Sequence, residues 1–183
     1  MTEKSHLRKS LLAARKALAP EERAWRDAAI GDRLLAWLEA NPASSIGAYW
    51  PHLGEPDLTS IYPQIASRGV QLALPVVVRR HAPLTFYAWR PGDELVVDAH
   101  GVKAPLARGH IVHPELLLLP CIGFNAGRYR LGYGGGYYDR TLAAERPPRT
   151  VGIAYAMCEA RFEADAHDVP MDWVVTEDGA GFI

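Results

Sequence analysis

The sequence predicts an α/β fold built on a mainly parallel sheet. Strand-like apolar runs alternate with stretches of helical period along most of the chain. One run, Glu115–Pro120, is almost wholly aliphatic and reads as a central strand. A glycine-rich segment follows it and leads into a helix. In sheets of this kind, ligands bind beyond the carboxyl ends of the strands.

The elements follow in order. Leu7, Leu11, Leu12, Arg15 and Leu18 recur at helical spacing over residues 5–18, with basic residues on the other faces. Ala19-Pro20-Glu21-Glu22 starts a second helix: proline suits the first turn, and acids suit the positive end of the dipole. Trp25, Ala29, Ile30, Leu34, Trp37 and Leu38 form its expected core face, and it stops before Asn41-Pro42. Ile46–Trp50 reads as a short buried strand and Pro51–Pro56 as a loop. Asp57 caps a helix to about Ser67, distorted by Pro63 and ended by Gly69. Val70–Val78 and Leu84–Trp89 are strand-like, punctuated by Pro75 and His81-Ala82-Pro83. Residues 91–114 are loop-rich with one short strand. Tyr137 to about Ala144 reads as a helix, and Thr150–Tyr155 and Trp173–Thr176 as strands.

Composition narrows the function classes. A chain of 183 residues is expected to form one domain over 1–183, with a sizeable core. Its 49% hydrophobic and 22% charged residues exclude disorder, collagen and coiled coil. Lys+Arg total 20 against 21 Asp+Glu, a net charge of −1, so no nucleic-acid or membrane partner is expected. Cys121 and Cys158 make no disulfide framework. With no apolar core after Met1, and Leu116–Leu119 far too short to span a bilayer, a cytoplasmic location is expected.

Six glycines fall within residues 123–136. The segment Arg130-Leu131-Gly132-Tyr133-Gly134-Gly135-Gly136-Tyr137-Tyr138-Asp139 is the chemically informative one. Glycine admits positive φ and leaves no Cβ in a ligand's way. Successive backbone N–H groups ahead of a helix make an anion cradle, Arg130 adds a fork of donors, and Asp139 is a candidate for Mg²⁺. Tyr137 stands where a dinucleotide fingerprint needs its third glycine, and no Lys-Ser/Thr follows as in a Walker A loop. Strand, glycines, arginine and helix in that order favour a phosphate site over a plain tight turn. From the residues alone, the substrate stays open.

The same string resembles the signature of the 5-formyltetrahydrofolate cyclo-ligase (5,10-methenyltetrahydrofolate synthetase) family. The likeness extends over nearly the whole chain: Lys4-Ser5-His6-Leu7-Arg8, Gly54-Glu55-Pro56-Asp57-Leu58, Leu118-Leu119-Pro120 with Gly123-Phe124, His167-Asp168 and Val174-Val175-Thr176-Glu177. The resemblance implies a three-layer α/β/α sandwich similar to the sugar-phosphate isomerase and CoA-transferase group. It implies ATP- and Mg²⁺-dependent closure of 5-formyltetrahydrofolate, polyglutamylated or not, to 5,10-methenyltetrahydrofolate, with ADP and phosphate released, by a monomer or weak homodimer. Carried over, Lys4 and Arg8 contact the ATP phosphates. Arg130, Leu131, Gly132, Tyr133, Gly134, Gly135, Gly136, Tyr137 and Tyr138 wrap the triphosphate, with Arg130 catalytic. Trp50, Glu55 and Tyr138 face the folate, and Asp139 and Asp168 serve Mg²⁺. The chain departs from the family pattern at Asn125, where aspartate is usual. It departs also at Gly127-Arg128, which stand in exchanged order, at Ala104, and at Gly135, a lysine in some members.

Other features have plainer readings. His110-x-x-His113 has helical spacing, but its Val/Ile-rich surroundings and Pro114 argue against a helical metal site. Cys121 reads as a buried, inert thiol. Arg79-Arg80-His81 reads as solvated loop charge, although the glutamyl tail of a folate would suit it. A sugar-phosphate isomerase, with Glu55 as base, and a folate-sequestering protein are the competing functions.

Overall fold

A computed structural model describes residues 2–181. Met1, Phe182 and Ile183, which the one-domain expectation includes, lie outside the described residues. The chain opens with α1 (Glu3–Ala17) and α2 (Pro20–Ala40), then β1 (Ser45–Gly47), α3 (Tyr62–Ser67), β2 (Gln71–Val76) and β3 (Thr85–Ala88). Next come β4 (Leu95–Val97), β5 (Lys103–Pro105), β6 (Ile111–Val112), β7 (Leu116–Pro120), β8 (Gly123–Phe124) and β9 (Arg130–Leu131). The remainder is α4 (Tyr137–Leu142), β10 (Arg149–Ile153), β11 (Trp173–Val175) and β12 (Ala180–Gly181).

The main sheet runs β12-β11-β10-β7-β1-β2-β3-β6. Its middle, from β11 to β2, is parallel, and β12, β3 and β6 add antiparallel edges. The fold is thus an α/β sandwich on a mainly parallel sheet. β7 is central: Leu116, Leu117, Leu118 and Leu119 are fully buried, each burial contributing about 1.5–3 kcal/mol. Pro75 fits inside β2 because β1 ends opposite Ala73, so no neighbour requires the missing N–H.

Register assigns the two faces. Leu118, Val151 and Trp173 lie side by side on one face, and Trp173 meets Trp37 of α2 edge-on at 5.2 Å. Gly47 and Leu117 lie on the other face, where Gly47 faces Phe86. On that side Leu84 N–H donates to Thr141 Oγ1 of α4 at 2.9 Å. Helices therefore cover both faces. A satellite core of Leu11, Ile122 and Leu131, joined by Leu7 and Leu12, docks α1 onto β9.

Three expectations change. Trp25 is 60% exposed rather than core, because the buried stripe of α2 runs through Ile30, Leu34 and Leu38. The helix expected from Asp57 begins at Tyr62. Asp57 instead accepts the N–H and hydroxyl of Thr59, a local turn that competes with helix. Residues 91–114 hold β4, β5 and β6 rather than one strand, since turns around Asp93 and Asp98 reverse the chain.

Candidate active site

The parallel strands end in a cleft of about 600 Å³. Lys4, Arg8, Trp50, Glu55, every residue from Arg130 to Asp139, and Asp168 all line it. Residues far apart in sequence thus share one cleft, because β1, β2 and β7 deliver their following loops to the same end of the sheet.

The glycine turn between β9 and α4 is an open loop. Gly134 has φ +90° and Gly136 φ +64°, conformations that favour glycine. A Cβ on Gly132 would collide with the Arg130 guanidinium. α4 has only six residues, so its dipole is small. Side-chain cations instead supply the charge: Arg130 on β9, with Lys4 and Arg8 one turn apart on α1.

Each cation is already held. Arg8 Nε donates to the Gly132 carbonyl at 2.6 Å, tying α1 to the glycine turn. Arg130 pairs with Asp139 at 3.2 Å and lies over the Tyr138 ring at 5.1 Å. Lys4 bridges Asp165 at 2.6 Å and Asp168 at 3.1 Å. Burial opposes its charge, but the hydrogen bonds and charges of both aspartates outweigh this and raise its pKa.

The opposite wall is aromatic and acidic. Trp50 meets Trp89 edge-on at 5.8 Å, and Lys103 lies over its ring at 5.3 Å. Glu55 is 5% exposed. Its Oε2 accepts the His52 N–H at 2.9 Å, and its Oε1 accepts the Tyr133 hydroxyl at 2.8 Å. Burial pushes its pKa up to about 7, although both hydrogen bonds and the charges of Arg15 and Arg130 work the other way.

Arg15 went unremarked as a functional residue in the sequence. It is wholly buried, donating to the carbonyls of Cys121 at 3.1 Å and Leu53 at 2.7 Å and to the Tyr133 hydroxyl at 3.1 Å. An arginine on the apolar stripe of a helix was the available signal. Asp165 and His52 were also missed, and both line the cleft. Tyr137 stands edge-on to His100 at 5.9 Å, on the β4–β5 side of the cleft.

Among the described residues, no three His, Cys, Asp or Glu side chains come together as a metal-ligand group. Asp139, paired with Arg130, and Asp168, paired with Lys4, are carboxylates of the cleft that could hold Mg²⁺, an ion that often takes one or two carboxylates and completes its shell with phosphate and water. His110 lies outside any helix and approaches Gln71 at 2.8 Å, and Glu115 accepts two hydrogen bonds from Ser44. Both cysteines are buried and free, and burial raises Cys121 to about 12 and Cys158 to about 11. No helix among the described residues is long and apolar enough to cross a membrane.

Asn125 has a local reason. Its Oδ1 accepts the Tyr129 N–H at 2.9 Å and its Nδ2 donates to the Phe162 carbonyl at 2.9 Å. It braces the β8–β9 turn, in which Arg128 takes φ +62°.

Comparison with known proteins follows the same lines. A sequence model of the 5-formyltetrahydrofolate cyclo-ligase family matches residues 1–177. The chain is 30% identical to a 5-formyltetrahydrofolate cyclo-ligase of Mycolicibacterium smegmatis, covering 94% of this chain and 93% of that one. It superposes on a 5,10-methenyltetrahydrofolate synthetase from Mycoplasma pneumoniae with a TM-score of 0.80 at 27% identity, covering 96% and 99% of the two chains. On that of Aquifex aeolicus the TM-score is 0.79 at 34% identity, covering 98% and 92%. With a family match across nearly its whole length and the same fold, the chain belongs to the 5-formyltetrahydrofolate cyclo-ligase family.

Proposed function

We propose that the protein closes 5-formyltetrahydrofolate to 5,10-methenyltetrahydrofolate in an ATP- and Mg²⁺-dependent reaction that releases ADP and phosphate. The observation that carries this reading is convergence: Lys4, Arg8, Trp50, Glu55, the Arg130–Asp139 turn and Asp168 border one cleft. Its volume of about 600 Å³ is in the range of small-molecule sites.

The N5 formyl carbon is amide-like and weakly electrophilic. Transfer of the γ-phosphoryl group to the formyl oxygen turns that oxygen into a leaving group. N10 then attacks the carbon and gives up its proton to water or to the departing phosphate, the C–O bond breaks, phosphate departs, and the ring closes. Positioning and electrostatics carry such a reaction. Arg130 stabilises charge on the transferred group, while Lys4, Arg8 and the N–H groups from Gly132 to Gly136 hold the triphosphate. Bound Mg²⁺, held by Asp139 and Asp168 together with phosphate oxygens, would neutralise phosphate charge. Trp50 and Tyr138 flank the folate, and Glu55 accepts hydrogen bonds from the pterin N–H groups. No side-chain nucleophile is needed. Arg80 and His81 border the cleft, where a polyglutamate tail would meet positive charge.

In this reading the chain works as one domain in the cytoplasm, as a monomer or weak homodimer, which suits its two free, buried cysteines. The test is purified protein with 5-formyltetrahydrofolate, Mg²⁺ and ATP, followed by absorbance of the methenyl product. Product is expected only when ATP is present. Tight folate binding without ATP-dependent product would identify a sequestering protein instead.

A further inference from the structure

Tyr133 lies between the first two glycines of the turn, yet its hydroxyl bonds across the cleft. It donates to Glu55 Oε1 at 2.8 Å, and the competing His52 carbonyl is farther away, at 3.4 Å. Arg15 Nη2 donates to the same hydroxyl at 3.1 Å, which leaves the single phenolic proton free to point at Glu55. Arg15 is immobile. It is wholly buried, anchored on the Cys121 and Leu53 carbonyls, and its own carbonyl accepts from Arg23 at 2.5 Å. Among the described residues, the Glu55 carboxylate takes its other hydrogen bond from the His52 N–H, at 2.9 Å.

We infer that Tyr133 is a positioning residue: the loop proposed to wrap the triphosphate also sets the carboxylate proposed to hold the folate, through an Arg15–Tyr133–Glu55 chain rooted in α1. The inference rests on the proposed function and adds a residue to it. Tyr133 acts on the folate through Glu55 rather than by touching the reacting atoms. A hydroxyl donated to Oε1 fixes the carboxylate plane and favours its charged form, the form able to accept two hydrogen bonds from neighbouring N–H groups. Arg130 of β9, Tyr138 of α4, Tyr49 after β1, Tyr62 of α3 and Cys121 after β7 also act electrostatically with Glu55, beside Arg15. Arg15 and Arg130 are the cations among them, and Tyr133 couples one of these to the carboxylate directly.

Tyr133→Phe is the test. The residue is 43% exposed, so the variant keeps its ring at a surface position and is expected to remain folded. Two readouts are needed. The first is a ¹³C-glutamate NMR titration without substrate, in which the Glu55 midpoint should rise above its wild-type value. The second is kinetics. KM for 5-formyltetrahydrofolate should rise about tenfold, the loss expected for a hydrogen bond to a charged group, while KM for ATP stays within about twofold. The folate KM should also lose its acid limb at a higher pH than in wild type. An unmoved Glu55 midpoint overturns the inference, and so does an equal rise in both KM values. If wild-type protein does not cyclise the folate, the proposed function fails and the NMR titration alone decides the Tyr133 role.

Discussion

Glu55 shows how a single residue's surroundings set its chemistry. Its carboxyl pKa is pushed from 4.5 to about 7 by burial, so the folded chain binds a proton there that the unfolded chain has already lost. Between those two values stability therefore falls as pH rises, and the penalty is complete above the folded pKa. Glu55→Gln should remove that slope. The melting temperature of the variant relative to wild type should climb from about pH 4.5 to about pH 7, measured by thermal denaturation across that window. Arg130 is the second decisive residue, with Asp139 and the Tyr138 ring as its partners. Arg130→Ala should lower turnover by about 10²-fold or more in the methenyl-absorbance assay, with the protein still folded by circular dichroism. Unchanged turnover and ATP dependence would remove Arg130 from the mechanism. Asn125 needs both ends of its amide. Asn125→Asp keeps the acceptor for Tyr129 and loses the donor to Phe162, and should cost about 1 kcal/mol in a urea titration.

At the scale of elements, the site depends on how α1 is docked. Lys4 and Arg8 reach the cleft because Leu11, with Leu7 and Leu12, holds the helix against Ile122 and Leu131. Leu11→Ala opens that small core and should cost about 2–3 kcal/mol. Because the helix carries two of the cleft's cations, KM for ATP should rise in parallel, which steady-state kinetics at saturating folate will show. The glycine turn makes a complementary demand. At Gly134 an added Cβ meets no wall closer than the Arg8 guanidinium at 3.9 Å, but φ is +90°. Gly134→Ala therefore strains backbone rather than packing, and its effect should appear as weaker ATP binding, with only about 1–2 kcal/mol lost from stability. Helix α4, six residues long, adds little dipole to the site. The cations beside the turn are brought to it by β9 and α1.

For the whole molecule, the sheet acts as a device for gathering loops. The parallel order β11-β10-β7-β1-β2 sends the segments after β1, β2 and β7 to one edge, and the cleft forms there. Two substrates that bind only the folded cleft should stabilise it by mass action. ATP with Mg²⁺ at about 100 times its Kd should add about 2.7 kcal/mol, visible as a rise in melting temperature that shrinks at high salt. Much of this was legible beforehand. Apolar runs and helical periods marked nearly every element of the main sheet, because burial imposes those patterns locally. The glycine turn was legible for the same reason, since positive φ restricts residue choice within a few positions. What misled was context: Trp25 is large and apolar, yet it lies on the face of α2 opposite the buried Ile30, Leu34 and Leu38 stripe and so stays in solvent. Asp57 reads as a cap, and a bond to Thr59 two residues away delays the helix. Tertiary structure alone decided the partnerships of charge. That Lys4 meets Asp165 and Asp168, that buried Arg15 holds Tyr133, and that Tyr133 reaches Glu55 are facts of chain crossing. Hydrogen bonds and ion pairs act over a few ångströms in space, whatever the separation in sequence, so the sequence by itself determined the elements and the glycine turn, and folding decided which charges meet there.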